Sequence, residues 1–67
     1  MDKRTSDELA RYASGQPGEV QSQGDHGYLD GRLVRKSGGD VISGSDRVSV
    51  SHGMVFVNGQ YRGPAPS

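Results

Sequence analysis

The chain has no cysteine and no tryptophan, a single phenylalanine at Phe56, and no long apolar run. Without cysteine no disulfide can brace the fold, and nothing follows about the redox compartment. Apolar residues make up only 30% of the 67 positions, so one domain with a thin core is expected. A chain of this length buries only roughly 60% of the surface it exposes when unfolded. Such domains usually rest on disulfides, a metal or a partner subunit. No segment approaches the roughly 18 apolar residues of a membrane helix, and no apolar stretch follows the basic N-terminus. The expectation is a soluble chain made without a secretory signal, cytoplasmic, or carried in a virion if viral, and not engaged with membrane.

Charge of either sign is also not in excess. Eight basic and eight acidic residues give a formal charge of zero, which does not indicate a general electrostatic affinity for nucleic acid. The distribution is less even. Residues 1–27 carry three basic and five acidic side chains, and residues 28–67 carry five basic and three acidic. That asymmetry would favour head-to-tail association.

What the chain does have is punctuation. Thr5-Ser6-Asp7-Glu8 fits a capping box, in which the Thr5 hydroxyl accepts from the Glu8 N–H and the Glu8 carboxylate reaches back to the Thr5 N–H. Leu9, Tyr12 and Ala13 then fall on one helical face, and Gly15 suits the left-handed stop. The pattern predicts a short helix over residues 6–14 within an N-terminal segment 1–15. Residues 16–27 hold one aliphatic side chain, Val20, among Gly, Gln, Ser and Pro. That composition predicts a flexible polar linker, with an ordered loop wrapped on a partner as the alternative.

From Tyr28 onward, Asp30-Gly31, Gly38-Gly39, Gly44-Ser45, His52-Gly53 and Asn58-Gly59 fit the centres of two-residue hairpin turns, spaced alternately by eight and six residues. The expected fold is therefore mainly β: an antiparallel meander of about five to six short strands over residues 28–63, with the N-terminal α-helix and a tail at 64–67. The strands fall at about 26–29, 32–37, 40–43, 46–51, 54–57 and 60–63. Side chains paired across an antiparallel ladder share a face. One face then collects Val34, Val41, Val48, Val50, Val55 and Val57. The other collects Tyr28, Leu33, Ile42, Met54, Phe56 and Tyr61, diluted by Arg35, Arg47, Ser49 and Ser51. A single layer must cover at least one apolar face. The helix could cover one, and the Val face is expected to serve as a protein interface, with another copy or with a different protein.

Residues capable of chemistry are few. No nucleophile triad stands out, neither GxGxxG nor GxxxxGK[ST] occurs, and the glycines are accounted for by turns. Asp25, His26 and Asp30 lie close in sequence but lack the ligand spacing of zinc or calcium sites, and His52 sits at a turn tip. A sheet-like core this small is not expected to enclose the roughly 300 Å³ that small-molecule sites need. No cofactor, no metal and no enzymatic activity are expected.

Arg interleaved with aromatics on the second face, through Tyr28, Arg35, Arg47, Phe56 and Tyr61, is the arrangement of single-strand nucleic-acid binders. The run Val50-Ser51-His52-Gly53-Met54-Val55-Phe56-Val57-Asn58-Gly59-Gln60, followed by Pro66-Ser67, also resembles the end of the RNA-binding domain first known from ribosomal small-subunit protein four. The resemblance covers under a third of the chain and implies RNA binding. In that family the run follows a helical pair bearing the basic residues, whereas Gly38, Gly39 and Gly44 would break such helices here. The leading expectation is a non-enzymatic interaction or structural module that binds another protein or itself, as virion decoration proteins and phage-encoded inhibitors of host systems do. The alternative is a small nucleic-acid-binding β-module.

Overall fold

The computed structural model describes residues 1–66, which form one α-helix and one antiparallel sheet. The helix α1 spans Lys3–Ala13, followed by β1 (Gln21–Gln23), β2 (His26–Leu29), β3 (Arg32–Ser37), β4 (Asp40–Ser43), β5 (Asp46–Ser51), β6 (Met54–Val57) and β7 (Gln60–Pro64). Each strand pairs only with its neighbour in sequence, giving the order β1 to β7 without a crossover. The expected mainly β class holds, with seven strands in place of five to six.

The turn residues dictate this meander. Asp30, His52 and Asn58 take φ between 51° and 53° and each precedes a Gly of positive φ, the signature of the type I′ turn whose twist matches that of the flanking strands. Asn58 adds its side chain: Oδ1 accepts from the Arg47 N–H at 2.9 Å and Nδ2 donates to Asp46 Oδ1 at 3.1 Å. The register agrees with the turn arithmetic, pairing Val41 with Val48, Val48 with Val57, Val50 with Val55 and Phe56 with Tyr61.

Residues 16–27 depart from the expected linker. Gln21–Gln23 pairs with β2 across Gly24-Asp25, so the six-and-eight alternation of turns extends back by one step. A polar, exposed strand forms because the β2 ladder offers it hydrogen bonds, a reason invisible to apolar patterning. Ahead of it the chain is tied to the helix, where the buried Glu8 carboxylate accepts from the Glu19 N–H and from Arg11 Nη1, both at 2.6 Å.

The helix also begins earlier than expected. Asp2, not Thr5, is the N-cap, its Oδ1 accepting from the Thr5 N–H at 3.0 Å. With Glu8 engaged by Arg11 and Glu19, the capping box does not form. Gly15 takes φ +75° after the helix, as its position suggests.

The Val face is the core. Leu9, Ala10 and Tyr12 of α1 lie across β4, β5 and β6, and with them Val34, Val41, Val48, Val55, Val57 and Leu29 are buried. This corrects the expected interface. Five of its six valines are sealed by the protein's own helix, and Val50 is partly buried against the same cluster. Small Ala10 permits a close approach to the flat, β-branched surface, which is what the helix stripe needs in order to bury Leu9 completely. Lys36 Nζ sits 4.7 Å from the Tyr12 ring centroid, closing the margin of this layer by a cation–π contact.

Buried positions recur every 14 residues, the sum of one four-residue strand, one six-residue strand and two turns. Val34 and Val48 are one such pair, Val41 and Val55 another, and Leu29, Ser43 and Val57 a triplet. Gly27 holds the place equivalent to Val41 and Val55, because a Cβ there would stand 2.8 Å from both the Gln21 carbonyl oxygen and Val20 Cγ1. At the other end the repeat stops at a bulge, where the β6–β7 register shifts between Val55 and Phe56. Bulge and Pro64 together blunt the β7 edge. The Ala65 N–H then donates to the Gly53 carbonyl at 2.8 Å, so the expected tail is fastened at that point.

Two carboxyls titrate below their ordinary value of 3.8. Asp2 is held down by hydrogen bonds from Thr5, and Asp40 by hydrogen bonds from Arg47 and then Ser49. Because folding depresses them, their contribution is present above the ordinary value and is lost as pH falls through the folded values below it. The thermal midpoint should therefore drop on acidification below about pH 4. Asp2→Asn, which keeps a capping oxygen, should leave the neutral-pH midpoint nearly unchanged and flatten the acid drop. An unchanged acid profile in calorimetry would show that Asp2 is not linked to folding.

Candidate binding face

The sheet is a single layer, so sealing its inner face leaves the outer one bare. Strand alternation puts His26 and Tyr28, Leu33 and Arg35, Asp40 and Ile42, Arg47 and Ser49, Met54 and Phe56, and Tyr61 on that outer face. Tyr61 is 58% exposed, Leu33 47% and Tyr28 40%; Met54 is also exposed, while Ile42 and Phe56 are half-buried. Large apolar side chains gathered on one uncovered surface are the feature that marks contact sites on small proteins.

Two sub-areas differ in chemistry. Across β2 to β5, His26 pairs with Arg35, Arg35 with Ile42, and Ile42 with Arg47, making one row of neighbours. With Tyr28 and Leu33 beside it, this row lines an open cleft of about 670 Å³. It is an open depression on the curved sheet, not an enclosed pocket, and so differs in kind from the enclosed cavity that so small a core was not expected to hold. Across β6 and β7, Phe56 and Tyr61 pack on each other with centroids 5.8 Å apart and planes tilted by 59°. Neither reaches the cleft lining. The expected set is thus divided: Tyr28, Arg35 and Arg47 share the cleft, and Phe56 and Tyr61 stand apart.

The electrostatics of the cleft turn on which charges are already satisfied. Arg47 Nη1 meets Asp40 Oδ2 at 2.8 Å, which is why the Asp40 carboxyl lies low. His26 Nδ1 is 3.3 Å from Asp25 Oδ1 and its ring stands edge-on to Tyr28, with centroids 6.0 Å apart. Asp30 turns to the other side, to Arg4, whose Nη1 reaches it at 2.9 Å while Nη2 binds Glu19. Both anions raise the Arg4 guanidinium above its ordinary value, Asp30 the more. Asp25, His26 and Asp30 are therefore not gathered into one site, and no metal-ligating cluster occurs among the described residues. Arg35 is exposed and has no carboxylate partner among the described residues. His52 stays at its turn tip with φ 53°.

Sequence reasoning placed Leu33 and Ile42 on this face without assigning them to a site, and set His26 at the start of a strand without giving it a role on this face. The pairing of His26 with Arg35 follows from the same turn arithmetic, so that signal was present in the spacing. The cleft itself was not, since it arises from curvature.

No helix among the described residues is long and apolar enough to cross a membrane. Comparison with protein-family models, curated proteins and solved structures finds no match to this chain. The run that resembles the ribosomal domain forms the end of β5, all of β6 and the start of β7 inside the meander, with no helical pair before it.

Proposed function

We propose that the protein is a non-enzymatic binding module that engages another protein through the outer face of its sheet. The observation that carries this reading is the contrast between the faces. The chain uses its one helix to seal the valines and leaves Tyr28, Leu33, Met54 and Tyr61 in solvent. The molecule measures 26 × 24 × 22 Å, so one face is comparable in scale to the roughly 800 Å² per partner of a standard interface. Virion decoration proteins and phage-encoded inhibitors work by occupying a surface, and the reading extends to them by analogy.

A nucleic-acid reading draws on Arg35 beside Tyr28. Against it, Arg47 is engaged by Asp40, Phe56 and Tyr61 pack against one another at a tilt, and the formal charge is zero.

Leu33→Glu combined with Tyr61→Glu tests the proposal. Both sites are exposed, so circular dichroism and the melting midpoint should stay close to those of the parent protein. Capture of the protein that the parent retains from its source cells should fall at least tenfold, because a charge at the centre of an apolar contact is left unpaired. A folded double variant that captures the same protein undiminished would remove the outer face from the interface.

A further inference from the structure

We infer that the cleft across β2 to β5 receives an extended acidic segment of a partner protein, with a carboxylate on Arg35 and apolar side chains over Leu33 and Ile42. The inference rests on the reading of the outer face as the binding face and gives it a chemistry. Of the charged groups in the cleft, Arg47 is satisfied by Asp40 and His26 faces Asp25, and the Lys36 ammonium lies over Tyr12 on the helix side. Arg35 is left as a guanidinium without a carboxylate, directly opposite Ile42 and one row from Leu33. A planar fork of donors beside an aliphatic floor matches a carboxylate flanked by apolar groups, and the bidentate pair it can form is among the stronger polar contacts.

Dimensions agree. Three spacings of about 4.8 Å between four strands give a cleft about 14 Å wide, enough for four or five extended residues at about 3.3 Å each. In such a segment alternate side chains point the same way, so acidic and apolar positions can be sorted between Arg35 and the floor. A second copy of this chain fits less well, because its outer face would bring another free Arg35, while its Asp40 is paired with Arg47 and its Asp25 lies against His26. Single-stranded nucleic acid fits less well, since the floor is aliphatic and Tyr28 already stands edge-on to His26.

Fluorescence anisotropy at low salt tests this with a labelled hexapeptide of alternating Leu and Glu, its isosteric Leu and Gln version, and an oligothymidine of similar length. The Leu/Glu peptide should bind saturably. The Leu/Gln version, and the Leu/Glu peptide on Arg35→Gln, should each bind about tenfold more weakly, the loss expected for one charge-assisted pair. Arg62→Gln, beyond the cleft, should change affinity less than twofold. Equal binding of the Leu/Gln peptide, indifference to Arg35→Gln, tighter binding of the oligothymidine, or no saturable peptide binding would each overturn the assignment. The wider reading fails separately: it falls if the Leu33→Glu, Tyr61→Glu variant still captures the partner. If that variant loses the partner while Arg35→Gln keeps it, the face stands and the acidic segment does not.

Discussion

Leu9→Ala should leave most of the protein unfolded at 25 °C. Leu9 is fully buried where α1 crosses the valines of β4 to β6. Removing a buried leucine side chain costs about 2–5 kcal/mol through lost transfer energy and the cavity left behind. A domain of this size draws roughly 3–5 kcal/mol from a single core, so one truncation is of the order of the whole stability. Collapse around the gap offers little relief, because Ala10 has no volume to give and Val41 and Val48 are stiff at χ1. Leu33→Ala on the bare face is the control, expected to cost no more than about 1 kcal/mol because its side chain is half in water already. Urea titration followed by circular dichroism reads both. If the two variants shifted the urea midpoint equally, the helix would not be docked on the Val face.

Gly27→Val gives the second large effect, and its sign separates pattern from packing. The 14-residue recurrence puts Val41 and Val55 in the equivalent place, so a consensus argument would predict stabilisation. The surroundings predict the reverse. A Cβ on Gly27 meets the Gln21 carbonyl oxygen and Val20 Cγ1 at 2.8 Å and the Ser22 Cα at 3.2 Å, contacts that backbone cannot easily yield. Overpacking of this kind costs about 1–3 kcal/mol, and here the cheapest relief is to expel Val20 and release β1. The expected result is a lower urea midpoint together with faster hydrogen exchange at Gln21 and Gln23, whose N–H groups face β2, while β4 to β6 stay protected. A midpoint raised by Gly27→Val would mean that Val20 and β1 do not occupy this space.

Much of the meander was legible because each turn announces itself locally. Asp30-Gly31 and Asn58-Gly59 need positive φ at both positions, and once the turns are located, two-residue alternation sorts every side chain to a face. Three things were not legible, each for a physical reason. Gln21–Gln23 has no apolar alternation, and its strand exists only because β2 provides a ladder. The helix start went to Thr5 because its capping-box partner Glu8 looked free, whereas Glu8 is drawn to Arg11 and the Glu19 N–H by contacts remote in sequence. The choice of which face the helix covers could not be read from periodicity, since both faces are apolar. It is decided by fit, with Leu9 and Ala10 needing a flat bed of valines that the larger, more varied outer side chains do not provide. Within the candidate site, the face of Tyr28, Arg35 and Arg47 was legible, and their separation from Phe56 and Tyr61 was not.

The uninterrupted strand order also bears on how the chain reaches this state. Every sheet contact closes a loop of only two residues, so the entropy lost at each hairpin is small and no distant strand has to be found. Pairing can spread from any turn in either direction. The one event that joins remote parts of the sequence is the docking of α1 on β4 to β6, and until it happens the valines face water. The sheet is thus assembled from local pairings, and the long separations in the sequence are bridged where the eleven residues of α1 meet β4 to β6.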